Sequence, residues 1–424
     1  MAGQEQMAAA LPAVPYSTPP RWSGPLVEPE VRRLAAALSE RVAPREAGMD
    51  SLFLFRTIDS IVREAIDLRA FPGCQLFVAR DGRVVIERSW GRHDYSEGAP
   101  EVENDHLYDL ASVTKMAAST LALARLTDRG TLAPDDRFSK FYAPFRGTDK
   151  EKITFREVLA HQSGLPSGVA YPWRFSRDSL VRAIRDARLR TRVYRYSDLP
   201  FLLIPEVVRT ADGRDFETFL NEEFYRPLGT GLTFCPLEHG VPVERIVPTE
   251  TDEVWRKRTI HGTVHDESAA VMGGVSGNAG LFGTARDLGT VMQMLLDGGE
   301  FGGVRFLEPA TVEMFTTRQY TSGNNRRGLG FDRPSAGNDS LPFEEAYPAP
   351  SVSQSSFGHT GFTGTFAWAD PACGLVYVFL CNRVTPSRNN KAFVETRVRY
   401  ALQQAVYDAM RLCVDDASVA NVTE

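Results

Sequence analysis

Cys74 to Ala79 and Val84 to Trp90 alternate like β-strands, and Asp81-Gly82 lies between them. Both turn residues tolerate positive φ, which suits the two-residue turn whose twist matches that of paired strands. An isolated hairpin is marginal in water and needs more strands and a helical cover. The chain offers matching strands only near its far end. Gly358 to Trp368 and Leu375 to Asn382 read as two antiparallel strands around Asp370-Pro371-Ala372. A sheet built from both ends of a chain makes everything between an insertion.

The rest of the pattern is largely helical. Pro29 to Val42 is amphipathic. Leu54 to Arg69 places Ile58, Ile61, Val62, Ala65 and Ile66 on one face, and Phe71-Pro72-Gly73 stops it. Ser112 to Asp128 is closed by Arg129-Gly130, and Ile153 to His161 and Ser176 to Arg188 follow. Thr284-Ala285-Arg286-Asp287 forms a capping box ahead of a helix ending at Leu296. Ala392 to Leu412 is the final helix. The expected fold class is therefore α+β: an antiparallel sheet flanked by helices, with an inserted, mostly helical subdomain. The expected organisation is an irregular proline-rich arm over 1–25, one domain over 26–412, and a tail over 413–424. Within the domain, 26–108 and 300–412 supply the sheet part and 109–299 the helical part.

Composition excludes some functions. The chain has 424 residues, is 24% charged and carries a net charge of −6. No basic tract stands out, so electrostatic nucleic-acid binding is not expected. The apolar run Leu375 to Cys381 is far too short to cross a bilayer. Met1 to Ala10 lack the pattern of a secretory leader, so a cytoplasmic location is expected, with a periplasmic one as the alternative had a leader been removed. Of the cysteines at 74, 235, 373, 381 and 413, Cys373 and Cys381 read as lying along one strand. Eight strand residues cover roughly 26 Å, beyond the disulfide reach of about 7 Å. Reduced thiols are expected.

Three short motifs carry the chemistry. Ser112-Val113-Thr114-Lys115 puts a hydroxyl and an amine on one helix face. Serine is a weak nucleophile until a neighbouring base activates it. Lys115 sits among Leu110, Ala111, Met116, Ala117, Ala118, Leu121 and Ala122. Desolvation there predicts a lowered pKa and a neutral amine able to act as base. On its own the motif also fits a helix cap followed by a surface lysine. Tyr196-Ser197-Asp198 offers a phenol that can relay a proton and a carboxylate facing the same space. His359-Thr360-Gly361 lies at the start of a strand, where Gly358 and Gly361 permit close backbone approach.

Taken in order, the three resemble the serine β-lactamase and penicillin-binding-protein superfamily, nearest the class C-like esterases and D,D-peptidases. That superfamily carries SxxK, then a YxN-type triad, then KTG on a sheet strand. Pro72-Gly73, Leu159-Ala160-His161-Gln162-Ser163-Gly164-Leu165 and Gly277-Asn278-Ala279-Gly280-Leu281-Phe282 extend the likeness over roughly residues 50 to 410. The resemblance implies a β-lactamase/transpeptidase-like fold and a covalent acyl-enzyme. Ser112 is then the nucleophile, with Lys115 and Tyr196 as proton-transfer groups. Asp198, His359, Gly361 and Phe362 would bind substrate or the oxyanion, Phe362 through its N–H. His359 would orient the substrate and share protons with Tyr196. No cofactor or metal is implied, and the partner is a small ester, amide or peptide. Two positions depart from the pattern: Asp198 stands for Asn, and His359 for Lys. The departures favour esterase or D-amino-acid peptidase activity. A β-lactamase or acyltransferase using the same site, and a non-catalytic penicillin-recognising protein, are the alternatives.

Other constellations are weaker. His261 and His265 are spaced i, i+4, but Gly262, Thr263 and Val264 disfavour a helix there, which points to a loop near the cleft. Gly273 to Gly283 lacks the Lys-Ser/Thr of a phosphate loop. Gly274-Val275-Ser276-Gly277-Asn278 is not a GxSxG elbow. Arg326-Arg327 reads as part of a solvated loop.

Overall fold

The computed structural model describes residues 38–321 and 323–420. The 1–25 arm, and most of the helix expected over 29–42, lie outside these. Residues 38–42 are not helical.

Helix α1 (Ser51–Asp67) is capped by the Asp50 side chain, which accepts from Phe53 N, and buries Leu54, Ile58, Val62 and Ala65 at helical spacing. Strands β1 (Gly73–Arg80) and β2 (Arg83–Gly91) follow. They join through Asp81 and Gly82, with φ of 50° and 72°. Three C-terminal strands complete the sheet: β3 (Phe357–Thr360), β4 (Phe366–Asp370) and β5 (Leu375–Cys381). The order is β3-β4-β5-β1-β2. All neighbours are antiparallel, and β5 meets β1 from Cys74↔Cys381 to Arg80↔Leu375. The two ends of the chain thus form one sheet, and the fold class is the expected α+β.

Both faces of that sheet are covered. Phe77 and Ala79 of β1 share a core with Leu288, Val291 and Met292 of the helix α3 (Ala285–Leu296). Leu76 and Val78 point the other way, into a core with Leu54, Ile58, Leu402 and Val406. The last two belong to α4 (Val398–Ala420), which packs beside α1. The expected capping box is present at the start of α3, with Thr284 and Asp287 bonding reciprocally.

Three differences from expectation matter. Gly358 to Trp368 is not one strand but a tight hairpin, β3 to β4. Gly361 N donates to Thr365 O at 2.7 Å, and Gly364 takes φ 112°, a conformation that favours glycine. The C-terminal helix is broken at Arg397 (φ 51°), and α4 runs through Ala420, past the expected boundary at 412. The inserted segment holds a small sheet in which Leu281–Gly283 lies between Tyr108–Asp109 and Thr233–Phe234. Strands of two or three residues carry no readable alternation. No helix among the described residues is long and apolar enough to cross a membrane.

Candidate active site

Ser112 occupies the turn that opens the helix α2 (Leu121–Asp128) through a wider π-type stretch, Lys115–Thr120. Such widened turns recur at functional sites. The backbone in front of Ser112 is constrained. Ala111 holds φ 47°, and its N–H donates to Asp109 Oδ1 at 2.8 Å. The other Asp109 oxygen accepts from His265 N at 2.6 Å. Thr114 Oγ1 accepts from Leu281 N at 3.1 Å, and Ser119 Oγ donates to Gly277 O at 2.8 Å. The helix that carries Ser112 is thereby pinned along the 277–281 segment noted in the sequence.

Lys115 is buried, with Nζ 2.9 Å from Ser112 Oγ, 3.0 Å from Asn278 O and 2.5 Å from Asp198 Oδ1. Three acceptors match the three N–H groups of an ammonium. Burial is the largest influence on Lys115 and pushes its pKa down. The charges of Asp198 and Tyr196 and their hydrogen bonds outweigh it, so the net direction is upward. The expected neutral amine is therefore not the resting state. Only the apolar neighbours within the helix were visible in the sequence; the counter-charge comes from a distant loop.

That loop is held by the turn after Leu159 in a way sequence alone did not show. Ser197 N donates to His161 Nδ1 at 3.2 Å, and the His161 ring lies against Tyr196 at 4.2 Å between centroids. Burial and the nearby Arg327 push the His161 pKa well below its usual value, so it is a neutral platform for the Tyr196 ring. Lys115 Nζ lies 5.0 Å from the Tyr196 ring centroid. Behind Asp198, burial and then Asp198 itself push the Asp266 carboxyl up. Asp266 Oδ1 accepts from Ala269 N and from Asn278 Nδ2, the residue whose carbonyl receives Lys115.

His359 is buried, and both ring nitrogens have protein partners. Nδ1 lies 2.8 Å from Thr360 O and Nε2 lies 3.1 Å from Arg327 Nη1. Burial, then Arg327 and Lys115, push its pKa down to about 3. The His359 and Tyr196 rings lie 6.3 Å apart between centroids, and the two His359 nitrogens face Thr360 O and Arg327 Nη1. Arg327 is buried as well, and the expected solvated loop is a buried ion cluster instead. Asp332 accepts from Arg326 at 2.7 and 3.1 Å, from Tyr347 Oη at 2.6 Å, and pairs with Arg327 Nη2 at 3.3 Å. Nothing in the sequence around Arg327 tied it to His359.

The β3–β4 turn closes the other side. Thr363 Oγ1 donates to Asp109 O and Thr365 Oγ1 to Leu110 O, at 2.8 and 2.9 Å. A Cβ on Gly361 would stand 1.9 Å from Thr365 Oγ1 and 2.6 Å from Leu110 O, so only glycine lets the turn sit this close to the segment that leads into Ser112. Among the described residues, neither the Ser112 nor the Phe362 amide donates to a protein acceptor. The Phe362 ring is half exposed, stacked on His265 at 5.7 Å. His261 Nε2 faces Ile246 O and His265 Nε2 faces Glu250 Oε2. A cavity of about 480 Å³ opens beside Asp198, between Trp173, Trp255 and Arg388.

A family model described as Beta-lactamase matches residues 58–399. The chain belongs to the Beta-lactamase family. A protein of Escherichia coli (strain K12) named "Putative D-alanyl-D-alanine carboxypeptidase" is 31% identical over 406 residues, covering 86% of this chain and 92% of that one. A penicillin-binding-protein homologue from Caulobacter crescentus shares the fold at TM-score 0.63 and 22% identity, over 83% of this chain and 97% of its own. EstCE1, described as a hydrolase with promiscuous acyltransferase activity, does so at TM-score 0.65 and 20% identity, over 84% and 99%. This member of the Beta-lactamase family is thus a hydrolase of the serine β-lactamase and penicillin-binding-protein superfamily.

Proposed function

We propose that the protein is a serine hydrolase that passes through an ester on Ser112 and cleaves carboxylic esters or small D-amino-acid amides and peptides. The observation that carries this reading is the triple contact of Lys115 Nζ with Ser112 Oγ, Asp198 Oδ1 and Asn278 O.

In the first step Ser112 Oγ bonds to the substrate carbonyl carbon. Its proton passes to Lys115 Nζ as Lys115 gives one of its own to Asp198 Oδ1. The carbonyl oxygen, now an oxyanion, accepts from the Ser112 and Phe362 N–H groups. The Tyr196 hydroxyl protonates the leaving oxygen or nitrogen as the carbonyl bond to it breaks. The resulting phenolate regains a proton from Lys115, which recovers its own from Asp198. Water then adds to the acyl carbon by the same transfers in reverse, and Ser112 leaves protonated.

The neutral ring at position 359 favours esters and small peptides over β-lactams. The relative named for D-alanyl-D-alanine carboxypeptidase makes dipeptides with a C-terminal D-alanine the first peptides to try. Incubation with a fluorophosphonate tests the assignment: one phosphonyl adduct is expected on the wild type and none on Ser112→Ala. Steady-state rates on short-chain esters, D-amino-acid amides, D-alanyl peptides and a chromogenic cephalosporin then rank the substrate classes.

A further inference from the structure

We propose that Arg327 is a positioning residue of this centre: from beside the Tyr196 ring it holds His359 in a single neutral tautomer, so that the positive charge of this pair sits on Arg327 and none on the imidazole. The inference rests on the reading of Ser112, Lys115 and Tyr196 as catalytic.

Hydrogen-bond polarity fixes the tautomer. Thr360 O can only accept, so His359 Nδ1 carries the proton across the 2.8 Å contact. A guanidinium can only donate and does not deprotonate in proteins, so Nε2 must present its lone pair to Arg327 Nη1 at 3.1 Å. A doubly protonated ring would set an N–H against an N–H. While Arg327 stays in place, His359 has no room for a second proton.

Arg327 is well placed to stay. It is 5% exposed, and its Nη2 pairs with Asp332, which is itself held by Arg326 and Tyr347. Burial works against the Asp332 charge, but Arg327 and Arg326 outweigh it and hold the carboxyl at about 2. The Arg327 guanidinium carbon also lies 5.2 Å from the Tyr196 ring centroid, within range of a cation–π contact. One side chain therefore touches both His359 and Tyr196. The charged and titratable groups facing His359 are Arg327 and Asp332 from the 325–332 segment, Lys115 from the nucleophile helix, His161 from the turn after Leu159, and the Tyr196 ring at 6.3 Å. Four of them are cationic or neutral, and the one carboxylate is already shared between two arginines.

The test is ¹⁵N-histidine NMR of the full chain between pH 5 and 9, with His359→Asn for assignment, on the wild type, Arg327→Gln and Arg327→Lys. In the wild type, His359 should show the neutral Nδ1-protonated pattern across the range. In Arg327→Gln, whose amide oxygen can accept from a protonated Nε2, the midpoint should move up from that of the wild type while burial and Lys115 still hold it below the ordinary value of about 6.5, and kcat/KM for p-nitrophenyl acetate should gain an acid limb at that midpoint. Arg327→Lys keeps a donor and should largely preserve the wild-type pattern. A wild-type ring protonated on Nε2, or charged above pH 5, overturns the proposal. So does an Arg327→Gln ring that behaves as in the wild type. If Arg327→Gln fails to fold, the wild-type tautomer and Arg327→Lys still decide. The NMR readout needs no turnover, so a failed Ser112 assignment would show separately, as a missing phosphonyl adduct.

Discussion

Lys115 Nζ sits 2.5 Å from Asp198 Oδ1 while also touching Ser112 Oγ at 2.9 Å. The lysine beside Ser112 therefore rests as an ammonium, stabilised by a carboxylate that is one-third exposed. A base in that state must shed a proton as it takes one, and Asp198 is the nearest acceptor.

Asp198→Asn removes that acceptor while keeping a carbonyl oxygen for Lys115. We expect kcat/KM to fall by about 10²–10⁴-fold, the range for a lost proton-transfer group. Stability should drop by roughly 1–3 kcal/mol, the scale of a hydrogen bond to a charged group. Ester hydrolysis and urea unfolding measure the two. A folded variant with unchanged kcat/KM would remove Asp198 from the proton path.

Tyr196→Phe keeps the ring on His161 and deletes only the hydroxyl. The variant should still fold and still react with a fluorophosphonate, more slowly. Its kcat on amides, which need leaving-group protonation most, should fall by about 10²–10⁴-fold, and its kcat on p-nitrophenyl esters by much less. Parallel kcat measurements on the two classes check this; equal losses would contradict the leaving-group role.

Gly361→Ala places a methyl against Leu110 O, a backbone atom that cannot swing away. The β3–β4 turn must shift, taking the Phe362 amide with it. We expect a loss of about 10²–10³-fold in kcat, as for a lost oxyanion donor, with KM little changed. A large rise in KM with normal kcat would instead assign the turn to substrate binding.

Asp332 gives the pH dependence of stability a direction. Its folded value, about 2, lies below its ordinary 3.8. A depressed carboxyl contributes stability above its unfolded value and loses it as pH falls through the folded one. The contribution should be present above about pH 4 and lost toward pH 2, at roughly 2 kcal/mol. Asp332→Asn should be destabilised at pH 6, by leaving Arg326 and Arg327 unpaired. Its gap from the wild type should narrow as pH falls from 4 toward 2, as followed by urea unfolding.

Much of this was legible in the sequence because it is local. The Asp81-Gly82 turn, the spacing of Leu54, Ile58 and Val62, and the Thr284–Asp287 capping box each depend on neighbours within four residues. The motifs holding Ser112, Lys115, Tyr196 and His359 were readable for the same reason. The charge state of Lys115 was not, because Asp198 reaches it from a separate loop. The burial of Arg327 was hidden likewise: its partner His359 is brought to it by the edge strand β3. The hairpin at Gly361 to Thr365 was signalled only by Gly361 and Gly364 inside a stretch read as one strand, and the close approach to Leu110 shows why the chain turns there.

The account stands most directly on the ester at Ser112. Rapid quenching of the enzyme with excess p-nitrophenyl acetate, followed by intact-mass and peptide analysis, measures it. A mass gain of one acetyl group on the peptide containing Ser112, absent in Ser112→Ala, is the predicted result. Turnover with no acyl adduct at any quench time, or an equal adduct on Ser112→Ala, would contradict it.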